Sequence, residues 1–131
     1  MTSRAVLVWY HMHGLPVTAV NPKNPEIKLP SRSYTAVDSP ASLPWPSQTS
    51  LSVITPPAIT RKVLEEAKSV GVPAVWLQPG SFDTAGLEYA KANFAAAVGG
   101  EGGMGGEGWC VLVDGESGLK AAKREWIRQK L

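Results

Sequence analysis

The chain has 131 residues, 44% of them apolar and 18% charged, which is enough to bury one core and too short for two ordinary domains. Its formal charge of +2 is divided: residues 1–116 hold eight Lys/Arg against ten Asp/Glu, net −2, while Lys120, Lys123, Arg124, Arg128 and Lys130 against Glu125 bring 117–131 to +4. These figures exclude disorder by composition, a membrane span of roughly 20 apolar residues, and, with Cys110 as the single cysteine, a disulfide framework or a cysteine metal cluster. No small-residue cleavage site precedes Gly14, so no signal peptide is expected and the cytoplasm is the expected compartment.

Residues 5–10 are β-rich by propensity, although a helix ending at His13 with Gly14 past its end is equally writable. Four continuous apolar runs, 17–20, 51–55, 74–78 and 110–113, suit strands buried on both faces of a parallel sheet. Residues 21–50 contain six prolines and leave room for at most a short strand at 33–37. Pro57 opens a helix with Ile59, Val63, Ala67 and Val70 on one face, and Gly71 and Pro73 stop it. Asp83 or Ser81 caps the next, which carries Leu87, Ala90, Phe94 and Ala97 or Val98. Seven glycines make 99–108 an irregular loop, and Ser117 caps a basic C-terminal helix over 117–131 with Leu119, Ala122, Trp126 and Ile127 on one side. Strand alternating with helix predicts one α/β domain over 1–131, a three-layer Rossmann-like parallel sheet with helices on both faces.

Most chemistry-bearing patterns have a plain reading. The run 100–105 spells G-x-G-x-x-G, but it is expected between a helix and a strand, the reverse of the phosphate-binding context, and it brings Glu101. His11 and His13 lie two apart, not the four a helical metal pair needs, so no metal site is expected. Cys110, inside an expected strand, reads as a small buried hydrophobe. No nucleophile–base or acid pair stands out, so an enzyme is the least favoured class. The basic tail reads as a terminal helix with a solvated outer face, so neither a membrane nor, given the slightly acidic body, a nucleic acid is expected as partner.

The strand tips carry more. Three apolar runs end in a polar residue followed by proline: Asn21-Pro22-Lys23, Thr55-Pro56-Pro57 and Gln78-Pro79-Gly80. Proline ends the ladder and leaves the polar side chain at the rim where open α/β sheets bind ligands. Lys23 is the one cation among them, suited to a phosphate.

These tips, with 14–23, 53–57, 74–80 and 109–114, resemble the CoA-binding domain family, a Rossmann-like group related to the CoA-binding part of the succinyl-CoA ligase alpha subunit. The resemblance covers about residues 4–119, and the Gly-rich insertion and the run 76–81 look like its fungal branch. It implies coenzyme A as ligand, with Asn21, Pro22 and Lys23 at the adenosine and phosphate part and Thr55, Pro56, Pro57, Gln78, Pro79 and Gly80 along the rest of the cleft. It also implies that residues 4–13 form a helix, against their local β propensity. Relatives begin with a strand and a Gly-Ala-Ser-type loop that cradles pyrophosphate; here the chain starts where the helix after that loop should be running. The missing strand is central, so its neighbours are left with unpaired backbone groups, each costing about 1–3 kcal/mol if buried without partners. Residues 5–10 pair there as a strand, or the sheet closes up, or a second chain donates a strand, or the sequence is a clipped piece of a longer protein. The expected function is a non-catalytic CoA- or nucleotide-binding module weakened by the lost loop. The alternative is a truncated Rossmann-like remnant acting through protein contacts, with a homo-oligomer covering the gap.

Overall fold

Alternate residues of the two strongest apolar runs find helices to pack on, and this sets the main sheet. In the computed structural model, which describes residues 3–131, β4 (Ser50–Val53), β5 (Ala74–Leu77) and β6 (Ala96–Val98) form a parallel three-stranded sheet in that order. Its register pairs Leu51 with Val75 and Val53 with Leu77. One face carries Leu51, Val53, Val75 and Leu77 into a core with Leu64 and Ala67 of α2 (Pro57–Ser69) and Ala90 of α3 (Thr84–Asn93). The other face meets α1 (Ser3–Met12) and α4 (Val111–Ala121), where Val6, Trp9 and Val111 pack with Ile54 and Trp76. These three layers are the expected Rossmann-like α/β arrangement.

A second small sheet has the order β1 (Ala19–Val20), β3 (Ser33–Val37), β2 (Glu26–Lys28). Here β1 runs parallel to β3, and β2 antiparallel to it. Val20 and Val37 pack against the Leu51 and Val53 cluster, so the two sheets meet through side chains. Among the described residues no strand hydrogen-bonds to the second edge of β1 or of β4. Of the ways of filling that gap within one chain, neither is observed: residues 5–10 are helical, and the sheet does not close through hydrogen bonds.

The helix ends follow the sequence where glycine is present. Gly14 has φ +65°, and Gly14 and Leu15 donate back to His11 and Tyr10 as the chain leaves α1. Asp83 caps α3, its carboxylate accepting from Gly86 N–H at 2.7 Å.

Three expected elements are corrected. The run 110–113 is not a strand: Cys110 is the extended N-cap of α4, with Val111 buried and Leu112 and Val113 exposed in helical order. Two contacts fix this, one reaching across the fold and one local. Val111 N–H donates to Gln78 Oε1 at 2.8 Å, and Cys110 N–H to Asp114 Oδ2 at 3.0 Å. The basic segment 117–131 is not one helix, because α4 ends at Ala121 and residues 122–131 run as an irregular strap. Lys123 takes φ +55°, and Lys123 and Arg124 donate to Lys120 and Leu119, the closing bonds of a helix terminus. Beyond it, Gln129 N–H donates to Met12 O and Ser31 N–H to Leu131 O, partners that a continued helix would forfeit. Finally, residues 96–98 are not helical but form β6, whose alanines pair with β5 after a two-residue connection from α3.

Candidate functional site

Parallel pairing of β4 and β5 brings Thr55 and Gln78 to the same end of one sheet, joined by Gln78 N–H donating to Val53 O at 3.0 Å. Thr55 and Thr60 share a hydroxyl–hydroxyl hydrogen bond of 2.8 Å, and Thr60 also donates to Thr55 O. Thr60 is fully buried, so the first turn of α2 is bolted to the strand tip while Pro56 stays exposed beside it. The positive end of the α2 dipole therefore opens at this rim. Gln78 is also fully buried. Its Oε1 accepts from Val111 N–H, its Nε2 lies 3.5 Å from Ser52 Oγ, and its carbonyl accepts from Ser81 N–H and Oγ–H. The side chain is spent on structure. What reaches solvent is the turn it holds, half-buried Pro79 and exposed Gly80 at φ +85°, beside which a Cβ would meet nothing within 4 Å.

Asn21, Pro22 and Lys23 stand at the end of β1, in the other sheet. Asn21 N–H donates to Val37 O, and Asn21 Oδ1 accepts from Lys23 N–H at 2.9 Å and Asn24 N–H at 3.3 Å. That side chain builds the turn and leaves Lys23 exposed, outside any ion pair among the described residues. No hydrogen bond links this tip to Thr55 or Gln78.

Sequence reasoning missed a polar chain beneath Gln78. Tyr10 Oη and Ser52 Oγ are 2.7 Å apart, and Ser52 in turn meets Gln78. Burial pushes the Tyr10 phenol above its ordinary range, partly offset by the Ser52 hydrogen bond. The open part of this sheet face forms a cavity of about 180 Å³ bounded by Tyr10, Ser52, Trp76 and Val98. No sequence signal pairs residues 42 positions apart.

The glycine loop has the opposite context from that expected, following strand β6 and preceding helix α4. It still forms no phosphate cradle. The loop closes on itself where Trp109 N–H donates to Gly100 O, and buried Asp114 accepts from Met104 N–H at 2.9 Å as well as from Cys110. A carboxylate thus occupies the helix N-terminus that a phosphate would need, and Glu101 and Glu107 border the loop's cavity of about 520 Å³. Spacing of Asp114 four residues past Cys110 was the available signal for this cap.

Both histidines are buried and serve the strap. His11 Nδ1 meets Tyr34 Oη at 2.8 Å, and its Nε2 meets Lys130 O. His13 stacks on Trp9 with centroids 3.9 Å apart, carries Trp126 on its other contact at 4.2 Å, and has Glu116 at 3.6 Å from Nε2. Among the described residues no group of three or more His, Cys, Asp or Glu is gathered to hold a metal ion.

Comparison with curated proteins and with solved structures finds no match. A family model does match, over residues 1–107, which spans both sheets and all three proline-ended tips. With most of the chain covered, this protein belongs to the CoA binding domain family.

Proposed function

We propose that the protein is a non-catalytic CoA- or nucleotide-binding module whose ligand lies along the carboxyl ends of β1, β4 and β5. Family membership is the observation that carries this reading, and it supports coenzyme A as the ligand. The residues at the tips fit such a group. Lys23 offers a free ammonium to a phosphate, Pro56 and Pro79 offer rigid apolar walls, and Gly80 leaves open space for a chain to pass. Asn21, Pro22 and Lys23 take the adenosine and phosphate part, and Thr55, Pro56, Pro57, Gln78, Pro79 and Gly80 line the remainder. In this division Thr55 and Gln78 position the turns, since their own polar atoms are engaged. The same reading includes kinship with the group related to the succinyl-CoA ligase alpha subunit, in a fungal-type form. Isothermal titration is expected to show CoA binding that falls about tenfold in Lys23→Ala, the loss of one charge-assisted contact. No heat with CoA, ATP or NAD at millimolar concentration would overturn it.

A second reading is favoured by the second edges of β1 and β4, which pair with no strand among the described residues. A strand edge without a partner invites another chain, and the protein would then act through protein contacts without holding a nucleotide.

A further inference from the structure

We propose that the C-terminal strap and the β2–β3 turn together form a docking surface for an anionic lipid bilayer. The sequence shows a basic tail; the fold enlarges it. Ser31, in the turn between β2 and β3, donates its N–H to Leu131 O and its hydroxyl to Lys130 O, which seats the end of the strap on that turn. Arg4 then joins from α1, its guanidinium donating to Lys28 O at 2.9 Å, and Arg32 lies 4.0 Å over the Tyr34 ring. Arg4, Lys28 and Arg32, against Glu26, thus extend the five cations that run from Lys120 along the strap against Glu125. The ribbon carries +6, and the rest of the chain, with five Lys/Arg against nine Asp/Glu, carries −4. Among the described residues none of the ribbon's cations enters an ion pair, so the field is not neutralised internally.

The apolar groups of the ribbon select the kind of polyanion. Ile127 is 77% exposed between Arg124 and Arg128, and Leu131 is 44% exposed beside Lys130. Aliphatic side chains among cations match a surface whose charge lies above hydrocarbon. A single-stranded nucleic acid would instead call for free aromatic faces. Those near the ribbon are engaged: Tyr34 is buried under Arg32, and Trp126 rests on His13. The expectation of no membrane partner rests on a helical tail with a solvated face, whereas residues 122–131 form a strap that is neither helical nor alone.

Vesicle co-sedimentation of the full chain tests this. Binding is expected to phosphatidylserine–phosphatidylcholine vesicles and not to phosphatidylcholine alone, and it should weaken with added salt. The double variant Arg124→Gln/Arg128→Gln should bind about thirty-fold more weakly, and Ile127→Ser about tenfold. Both change exposed side chains outside the strap's backbone anchors, and circular dichroism confirms their fold. Equal binding to neutral vesicles, indifference to the substitutions, or no vesicle binding would overturn the proposal. Capture of a single-stranded RNA oligonucleotide in the absence of vesicle binding would also overturn it and would reassign the surface.

Discussion

Gln78 shows how a residue at a ligand rim can be claimed by the fold. Its amide oxygen satisfies the first N–H of α4, a group that would otherwise be buried without a partner, and its amide nitrogen reaches the Ser52 hydroxyl already shared with Tyr10. One side chain therefore couples the tip of β5, the face of β4 and the start of α4. Gln78→Leu keeps most of the volume and removes the acceptor, leaving Val111 N–H unsatisfied. Urea denaturation should show a loss of about 1–3 kcal/mol. Asp114 has the parallel task at the same helix end, accepting from Cys110 and from Met104 of the glycine loop. A polar residue after an apolar run is legible in sequence as a rim position. Whether its atoms face the ligand or the protein depends on a partner 33 residues away in the case of Gln78.

At the scale of elements, helix ends were readable where the chemistry is local. Gly14 and Gly71 take positive φ at the ends of α1 and α2, and Asp83 caps α3 through a neighbour three residues on. A close approach of helices was not readable. A Cβ on Gly115 would stand 2.3 Å from the Trp9 ring, so α1 lies against α4 only because that position is glycine. The end of α4 was hidden for a different reason. Lys123 occupies a left-handed position that glycine usually takes, so no punctuation marks it in the sequence. Lys123→Gly should relieve that strain and stabilise the protein by about 1 kcal/mol, read as a raised denaturation midpoint. Hydrogen exchange should show the amides of Gln129 and Ser31 at least as protected as before, because they donate to Met12 O of α1 and to Leu131 O at the end of the strap. The stretches 96–98 and 110–113 take each other's expected state: the alanines, helical by local pattern, form β6, and the valines, strand-like by propensity, open α4. Pairing with β5 in one case and capping by Gln78 in the other overrode those propensities.

For the whole molecule, the decisive feature is that among the described residues six short strands make two sheets that meet where Val20 and Val37 pack on the core containing Leu51 and Val53, without a shared hydrogen-bond ladder. Edges of this kind are open to strand addition. Sedimentation velocity at micromolar concentration is therefore expected to show self-association if the protein works through protein contacts, whereas a strict monomer that still binds CoA would eliminate that second reading. Charge is divided along other lines, with the cationic ribbon gathered from α1, the β2–β3 hairpin, the end of α4 and the strap, and the remaining chain acidic.

Apolar periodicity, proline placement and turn glycines were enough, read along the chain, to establish the α/β class, the strands at 33–37, 51–53 and 74–77, the helix from Pro57, and three tips with polar residues before proline. Each of those signals acts within a few residues, which is why it survives in one dimension. The helix over residues 4–13 that the resemblance implied, against the local β propensity of 5–10, is observed as α1, whereas the two-sheet arrangement, the burial of Gln78 and the seating of the strap on Ser31 and His11 were settled by packing and hydrogen bonds between residues far apart in the chain. Desolvated backbone and side-chain groups must find partners wherever the fold supplies them, and only the folded chain says where that is.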